Sequence, residues 1–473
     1  MGVCRRGIRA YSGCLGGVIQ LRPYQERGVE DIRAAFLEHQ YVLYTAPTGS
    51  GKTVVFCYIA HHAVDLGNCV GILVHRQELI DQVCAALRDE NVPHGVIAPG
   101  WPETDDPVQV CSVQTLVRRK ERLFDIFISD EAHHGVANTW STLFDKYSEC
   151  AVLGVTATPC RLSGKPLNTR FTYMVHGPTV TELTPEYLCP SVVYAPVLAD
   201  AKGIKRVAGD YNRDDLEKLM NERRITGDVI GHWGRLAQGK QTVISCVTVA
   251  HAQAVAAEFT SACIPTHAIY GSMPNQERRD LVGAFSNREF PVLTFVDLIS
   301  EGFDCPGIEA MVMCRPTASE SLCIQQMGRT LRIAPNKTHA IIIDHVGNCL
   351  RHGLPDSPRN WSLEQGLVRP KSEKSTIRQC PHCYFVHPIQ LTVCPACGYE
   401  HAPDPEEQRK REPKYKSGEL VQLTRDMREQ LIESANSLQE YQDIAKGLNY
   451  KSGWAWFEWR KRNGMLHAKA RVG

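Results

Sequence analysis

Residues 46–53 read APTGSGKT and lie between two short apolar stretches, at 41–44 and 54–56. A strand, a glycine-rich turn and a helix in this order let backbone N–H groups close around a phosphate at the helix N-terminus. In such a loop Lys52 reaches the outer phosphates and the Thr53 hydroxyl holds Mg²⁺. The strict pattern has glycine where Ala46 stands, a position that mainly shapes the turn. The residues that we expect to bind the nucleotide here are Thr48, Gly49, Ser50, Gly51, Lys52 and Thr53.

A second motif places two adjacent carboxylates at the end of an apolar stretch, where residues 126–133 read IFISDEAH. Neighbouring side chains of a strand point to opposite sides, so Asp130 can face Mg²⁺ while Glu131 approaches the attacking water from another direction. We assign Asp130 to the metal and Glu131 to the catalytic base. An Asp-Glu pair alone is usually a solvated turn, but its position after a phosphate loop favours the functional interpretation.

Short β-branched runs predict two blocks of buried parallel strands separated by helical stretches. The first block comprises 41–44, 71–74, 108–110, 126–128 and 151–155, and the second 242–245, 267–270, 292–295, 310–313 and 340–343. The sequence therefore predicts two α/β domains. Residues 183–190, with two prolines, are the best candidate for the hinge between them, and residues 205–235 are expected to add a helical stretch.

Length and composition set the limits for this interpretation. A chain of 473 residues is long enough for two to four domains, and its 43% hydrophobic and 22% charged residues exclude wholesale disorder or a fibrous protein. Because the 53 basic residues are balanced by 52 acidic residues, the net charge is only +1. Binding of any polyanion must therefore come from local grooves. With neither a long apolar stretch nor a secretory signal in the sequence, we expect a cytoplasmic protein without a membrane partner.

Four of the 19 cysteines form two C-x-x-C pairs, whereas the other 15 are scattered singly as buried thiols of a reduced compartment would be. Two such pairs separated by ten residues suit tetrahedral Zn²⁺, or iron in the same geometry. The expected ligands are Cys380, Cys383, Cys394 and Cys397. With four thiolates the metal is expected to fold the module rather than to act in catalysis. We expect His382 and His387 to be exposed loop residues.

Near the C-terminus, residues 453–462 read GWAWFEWRKR. Aromatic and basic residues in this mixture can stack on bases and bind phosphates, or they can contact a protein partner. They can equally form the core of a small helical domain, which is the interpretation that we favour.

Further motifs follow one another in a fixed order: LRPYQ at 21–25, VHRQEL at 74–79, TATP at 156–159, GFD at 302–304 and QQMGRTLR at 325–332. Together with the phosphate loop and the DEAH motif, this order resembles the DEAD/DEAH-type helicases of superfamily 2. The resemblance implies two tandem RecA-like domains with ATP between them, followed here by a zinc-ribbon module and a C-terminal helical segment. Closure on ATP and reopening after hydrolysis would be the motor stroke.

The resemblance also implies roles for individual residues. Gln25 would read the adenine edge and Arg22 could stack on the base, although both could simply cap the first helix. Arg329 and Arg332 would reach the γ-phosphate from the second domain. The resemblance implies further nucleotide contacts at Gly302, Asp304 and Gln325. It implies that hydrolysis is coupled to movement by His133, Thr156 and Thr158. The implied contacts to nucleic acid are Arg76, Thr115 and Thr294.

Two departures bear on the substrate. Gln326 stands where RNA-directed members usually have a basic residue, and Leu331 replaces a common glycine. With LRPYQ, these residues make the chain similar to RadD-like DNA repair helicases and their phage or prophage relatives. That similarity implies a role in DNA repair or recombination, with a recombination or single-strand-binding protein as a partner. The alternatives are an RNA helicase, the motor subunit of a restriction or remodelling complex, and a nucleic-acid-binding adaptor without ATPase activity.

The expected organisation is as follows. Residues 1–17 form a tail that need not belong to the natural protein, 18–185 the ATP-binding domain, 186–360 the second helicase domain, 375–402 the zinc module, and 403–473 a mostly helical segment that binds nucleic acid or a partner.

Overall fold

Two parallel β-sheets with helices packed against them organise the unit of the chain that ends at His401. Residues 402–473 form a separate unit. A computed structural model describes residues 19–74, 77–119, 122–132, 138–161, 166–196, 206–207, 210–212, 216, 223–297, 305, 307–364, 366–367, 377–401, 432–447, 450 and 453–463.

The first sheet has seven strands, which are β1 Tyr41–Thr45, β2 Val70–Val74, β3 His94–Ile97, β4 Val108–Ser112, β5 Ile126–Asp130, β6 Ala151–Thr156 and β7 Tyr173–His176. Their order is β3-β4-β2-β5-β6-β1-β7, and all pairs are parallel. The helices of this region are α1 Pro23–Ala35, α2 Lys52–Asp65, α3 Gln77–Asp89, α4 Val113–Arg118, α5 Asn138–Lys146 and α6 Val180–Leu183. Because helices cover the sheet, its central strands are mostly apolar and buried, and β2 is apolar along its whole length.

The second sheet has six parallel strands, which are β8 Ser191–Tyr194, β11 Thr242–Ser245, β12 Thr266–Ile269, β13 Val292–Phe295, β14 Ala310–Met313 and β15 Ala340–Asp344. Two shorter strands, β9 Arg206–Val207 and β10 Asp210–Tyr211, lie between β8 and β11 in the sequence. Their order is β12-β13-β11-β14-β15-β8, while β9 and β10 pair with each other as a separate antiparallel ribbon. The helices are α7 Arg223–Leu236, α8 Val249–Ser261, α9 Asn275–Ser286, α10 Glu320–Thr330 and α11 Asn348–His352.

Beyond the second sheet lie two small antiparallel ribbons, formed by β16 Trp361–Ser362 with β17 Gly366–Leu367 and by β18 Ile377–Gln379 with β19 Val386–Pro388. The second ribbon carries the cysteine module and extends from the β8 edge of the sheet. Ala195, just after β8, donates its backbone N–H to the carbonyl of Tyr384 at 2.9 Å, and the rings of Tyr194 and Phe385 meet edge to face.

The C-terminal unit contains α12 Leu438–Gly447 and α13 Trp454–Arg462. Tyr441 is buried in its small core, and Trp454 and Trp459 pack partly against that core. Trp456 and Phe457 are each 50% exposed. The core interpretation of the aromatic segment is therefore correct for Trp454 and Trp459 and wrong for Trp456 and Phe457.

The predicted fold class, with two RecA-like α/β domains, a cysteine module and a helical C-terminal segment, is confirmed by these elements. All ten predicted runs overlap strands of the two sheets. The expected helical stretch at 205–235 is only partly correct, because β9 and β10 precede α7 there. In the described part of the chain, no helix combines the length and apolarity needed to cross a membrane.

Candidate active site

The phosphate loop joins the end of β1 to the start of α2. Gly49 and Gly51 have φ angles of 88° and 76°, a left-handed conformation that glycine adopts without a steric penalty. Thr48 and Ser50 are buried, and among the described residues the Ser50 hydroxyl has no hydrogen-bond partner. A buried donor without a partner, beside the N-terminus of α2, fits an anionic ligand such as the phosphates of ATP.

Lys52 is the first residue of α2, and its ammonium group points back into the loop. The Nζ atom donates hydrogen bonds to the carbonyl oxygens of Ala46 at 3.1 Å and Pro47 at 3.0 Å. Burial lowers the pKa of Lys52, and the carboxylates of Glu131 and Asp130 oppose that shift. The amine therefore lies within electrostatic reach of both predicted acidic residues, and Thr53 follows it on the first turn of the helix.

The acidic pair lies where β5 leaves the sheet. Asp130 is the last residue of β5, and its Oδ1 accepts a hydrogen bond from the backbone N–H of Glu131 at 3.0 Å. Burial, and then the charge of Glu131, raise the pKa of Asp130 to about 6, against the effect of Lys52. A carboxylate in this environment gains from a bound cation such as Mg²⁺.

Glu131 does not continue the strand, so the strand alternation expected from the sequence does not apply to it. Its φ is 48°, a left-handed value that is uncommon for a residue other than glycine and concentrates at functional sites. The chain turns sharply here and holds a side chain that is only 9% exposed close to Asp130 and Lys52. The backbone turn at Glu131, and not strand alternation, therefore sets the position of this carboxylate relative to Asp130.

Gln25 lies in α1, next to the phosphate loop, but its amide is already engaged. Its Oε1 accepts a hydrogen bond from the backbone N–H of Arg22 at 2.9 Å. Its Nε2 donates to the carbonyl oxygens of Ser50 and Gly51, both at 3.3 Å. In this conformation Gln25 braces α1 against the loop, and both hydrogen bonds expected to adenine would require that brace to break.

Helix α10 of the second sheet contacts the first sheet directly. The Gln325 amide donates from Nε2 to the Thr158 hydroxyl at 3.3 Å. A Cβ added to Gly328 would come within 2.7 Å of the Thr48 side chain, so the helix touches the phosphate loop through a residue without a side chain. The predicted nucleotide residue Gln325 is thereby placed at the cleft between the two sheets.

Arg329, in the last turn of α10, and Arg332, two residues after the helix ends, face the same cleft. Arg329 is buried, and after burial and the two carboxylates, the charges of Arg329 and Arg332 are the next influences on the pKa of Lys52. A Cβ on Gly49 would lie 3.2 Å from the Arg332 side chain. Both arginines therefore come within reach of the phosphate loop, although they belong to the other sheet.

The coupling residues Thr156 and Thr158 are fully buried at the end of β6. The Thr156 hydroxyl accepts from the backbone N–H of Thr158 at 3.1 Å, which fixes the exit of the strand beneath Gln325. Four further predicted site residues, His133, Arg76, Gly302 and Asp304, lie outside the described residues.

Of the predicted nucleic-acid contacts, Thr115 is partly exposed on α4. Thr294 lies inside β13 with no exposed surface, and its hydroxyl donates to the carbonyl of Ala252 at 2.9 Å. A side chain enclosed between a sheet and α8 cannot reach a nucleic-acid backbone in this conformation. Thr294 is therefore withdrawn as a contact.

The four cysteines of the two C-x-x-C pairs converge on one point. Their sulfur atoms all lie within 4.8 Å of one another, and the Cys380–Cys397 and Cys383–Cys394 Sγ–Sγ distances are both 3.7 Å. Tetrahedral sites with metal–sulfur bonds of about 2.3 Å require sulfur atoms at roughly this separation. The arrangement therefore fits one metal ion held by four thiolates.

Backbone geometry builds the two turns that carry these ligands. Tyr384 and Gly398, each just after the second cysteine of a pair, have φ angles of 65° and 74°. Burial opposes ionisation of Cys380, but hydrogen bonds from the backbone N–H groups of Cys383 and His382 outweigh it and lower its pKa to about 7. His382 is exposed as expected; His387 is buried in β19, its Nε2 2.9 Å from that of His401, so the expectation for His387 is wrong.

Sequence reasoning missed the contribution of the segment between the sheets. Leu188 lies against Gly49 and pairs with Arg332 across an isolated bridge, and Tyr187 contacts Arg22 and Tyr24. The two prolines identified this segment as a hinge, but no local pattern indicated that it touches the nucleotide site.

Two family profiles match the chain, one in the region of each parallel sheet. The profile of the family described as "Type III restriction enzyme, res subunit" matches residues 18–161, and that of the "Helicase conserved C-terminal domain" matches residues 221–334. A 51.5 kDa protein of a Lactococcus phage is 35% identical over 75% of this chain and 77% of its own length. The candidate ATP-dependent helicase IRC3 of Saccharomyces cerevisiae is 31% identical over 63% of this chain, which spans only 47% of that protein.

Among solved structures, the ATP-dependent Type ISP restriction-modification enzyme LlaBIII bound to DNA superimposes with a TM-score of 0.52 at 17% identity, over 69% of this chain and 28% of the enzyme. At that identity the likeness concerns the fold. The two profiles, the phage relative and the nucleotide site between two parallel sheets agree with one another, and the chain belongs to the ATP-dependent helicases of superfamily 2.

Proposed function

We propose that the protein is an ATP-dependent DNA helicase or translocase that acts in DNA repair or recombination. The observation that carries the proposal is the contact of α10 with the phosphate loop, through Gly328 and Thr48, which brings Arg329 and Arg332 to the site of Lys52. Hydrolysis at such a site depends on both sheets and so can drive their relative movement.

Each residue of the site has a defined role in phosphoryl transfer. Lys52 exchanges its bonds to the loop carbonyls for the outer phosphates of ATP. Thr53 and Asp130 would hold Mg²⁺, which would neutralise charge on these phosphates. Glu131 accepts the proton of the attacking water. Arg329 and Arg332 stabilise the charge that develops on the γ-phosphate, a contribution of about 10³- to 10⁵-fold in related enzymes.

Movement of the two sheets supplies the motor stroke. Binding of ATP draws α10 towards the phosphate loop, and release of the products lets the contacts of Gln325 and Gly328 open again. Because the chain must step along any sequence, we infer that it holds phosphates and not base edges. Thr115 on α4 and Arg76 are the contacts that we retain for that role.

DNA is favoured over RNA on two grounds. Gln326 replaces the basic residue that RNA-directed relatives usually carry, and the similar fold of LlaBIII is known in a DNA-bound form.

We further propose that the four cysteines hold structural Zn²⁺. The proposed domain boundaries are 18–185, 186–360, 375–402 and 403–473. The proposed partner is a recombination or single-strand-binding protein.

The test is the rate of ATP hydrolysis with single-stranded DNA, duplex DNA or RNA added, together with strand displacement on a partial duplex. We expect stimulation by DNA, abolished in Lys52→Ala. Glu131→Gln should bind ATP but hydrolyse it at least about 10²-fold more slowly. Stimulation by RNA alone would replace this proposal with an RNA helicase, and hydrolysis indifferent to every nucleic acid would leave a nucleotide-binding adaptor.

A second candidate is the motor subunit of a restriction or remodelling complex. The match of residues 18–161 to a restriction-subunit profile favours it. Such a motor would be stimulated by duplex DNA and would displace a triplex-forming third strand without separating the two duplex strands, whereas a helicase would separate them.

A further inference from the structure

The chain that leads from α10 to β15 turns back and places a lysine against the end of the helix. The backbone N–H of Lys337 donates to the carbonyl of Ala334 at 3.2 Å, which closes a four-residue turn. Pro335 and Asn336 fill its middle positions, and Asn336 has a φ of 62°. Proline followed by a residue with positive φ is the pattern of a type II turn. This turn directs the Lys337 side chain towards the helix that precedes it.

The Lys337 ammonium group donates to three backbone carbonyls. Its Nζ atom bonds to Thr330, the last residue of α10, to Arg332 at 2.8 Å and to Ile308 at 2.7 Å. An ammonium group has three donors, so its whole hydrogen-bonding capacity is used on the main chain. The last carbonyls of a helix have no partner within the helix, and a positive charge is favourable there. Lys337 therefore caps α10 and fixes the backbone that follows it.

Arg332 is held by this cap and by the segment between the two sheets. Its backbone pairs with Leu188 in an isolated antiparallel bridge. Its side chain would lie 3.2 Å from a Cβ on Gly49 of the phosphate loop. The main chain of Arg332 is thus bound by Lys337 and Leu188, while the side chain reaches the nucleotide site.

We propose that Lys337 is a positioning residue for ATP hydrolysis, which holds the Arg332 main chain so that the guanidinium group meets the γ-phosphate. This inference rests on the role proposed above for Arg332. Lys337 acts through the arginine, because its own three donors are bound to carbonyls. Without the cap the arginine can move away from the loop, and a displacement of about 1 Å can cost on the order of 10² in rate.

The charge of the amine makes the cap sensitive to pH. Burial lowers the pKa of Lys337 to about 8; Cys189 and Glu309 oppose that shift, Arg332 adds to it, and Cys305 opposes it. The ammonium form therefore predominates below pH 8 and the neutral amine above it. A neutral amine has two donors and turns a lone pair towards the third carbonyl, so the cap weakens as the pH rises.

The experiment measures single-turnover hydrolysis of ATP by the full chain with DNA present, together with the affinity for a non-hydrolysable ATP analogue. Lys337→Met should bind the analogue within about threefold of wild type and hydrolyse ATP about 10²-fold more slowly. In an Arg332→Ala background the same change should cost less than about fivefold, because the residue that Lys337 positions is already absent.

Lys240→Met is the matched control. It removes an amine that lies just before β11 and is paired with Glu309 at 3.0 Å, and it should hydrolyse ATP at the wild-type rate. Lys337→Arg keeps a positive charge at every pH used. Wild-type hydrolysis should therefore fall at least about fivefold between pH 7 and pH 9, and Lys337→Arg should not show that fall. If Lys337→Met does not fold, this comparison decides the inference.

An equal loss of rate in the wild-type and Arg332→Ala backgrounds would overturn the inference, because it indicates a general loss of structure. So would wild-type hydrolysis by Lys337→Met, or an alkaline fall that persists in Lys337→Arg. The proposed function survives these results as long as Arg332→Ala itself is slow. An Arg332→Ala protein as active as wild type would overturn the role of that arginine and this inference together, and a wild type that never hydrolyses ATP would overturn the proposed function as well.

Discussion

Glu131 and Lys52 illustrate how much of the site the sequence makes predictable. The phosphate loop and the acidic motif are local patterns, so their residues could be named without a structure, and the fold brings Lys52, Asp130 and Glu131 together. Contacts between residues that are far apart in the sequence leave no local pattern. Tyr187 therefore went unnoticed, and Thr294 was misplaced because a strand interior and a strand end look alike in sequence.

His345 provides a test of the buried environment behind β15. It is fully buried, and within the described residues neither ring nitrogen has a hydrogen-bond partner; the His232 ring lies 5.1 Å away. Burial, and then the charge of His232, lower the pKa of His345 to about 3. Between about pH 6.5 and pH 3, His345 binds a proton in the unfolded chain but not in the folded protein. The free energy of unfolding therefore decreases as the pH falls through this range.

We predict that His345→Leu reduces this acid sensitivity. For one proton the free energy of unfolding changes by about 1.4 kcal/mol per pH unit, and that contribution should disappear from the slope between pH 6 and pH 4. Urea unfolding at several pH values measures it, with the exposed His339 changed to Leu as the control. Identical slopes for wild type and His345→Leu would refute the assignment.

Helix α10 makes its closest approach to the phosphate loop at Gly328. In Gly328→Ala the new methyl group would meet the Thr48 side chain at 2.7 Å, so the helix and its arginines must move away. A displacement of about 1 Å can cost on the order of 10² in rate, so we expect hydrolysis to fall by that order while ADP still binds. Single-turnover kinetics measure the change.

Gly283→Ala is the matched control, because its methyl group on α9 would enter open space. It should hydrolyse ATP at the wild-type rate. A Gly328→Ala protein that is as active as Gly283→Ala would show that close contact between α10 and the loop is not needed.

The cysteine module is an element whose fold depends on its metal. Cys394→Ser should reduce zinc from about one equivalent per chain to none and lower the Tm, because the module pairs with the β8 edge of the second sheet through Ala195 and Tyr384. Cys263→Ser changes an exposed thiol outside the cluster and should keep its zinc. Elemental analysis and thermal unfolding provide the readouts; a metal-free wild type with an unchanged Tm would contradict the assignment.

The inner strands of each sheet were all predictable from the sequence, whereas of the four edge strands only β12 was. The strands β2 and β14 are apolar throughout, and β5 and β11 contain short apolar runs beside serine, threonine or aspartate. Buried apolar runs are what parallel sheets covered on both faces require. Edge strands such as β3 and β7 contain histidine, glycine or exposed residues, so no period-two or continuous pattern marks them. Their pairing depends on neighbours that lie far away in sequence.

Both sheets contribute to one nucleotide site, and this is the central claim for the protein. Its most direct test is the single-turnover rate of ATP hydrolysis in Arg329→Ala, measured with DNA present and alongside the affinity for ATP. We predict that the variant binds ATP within a few-fold of wild type and hydrolyses it about 10³-fold more slowly, because the arginine from the second sheet acts on the transition state. A hydrolysis rate close to that of wild type would show that the second sheet does not complete the site.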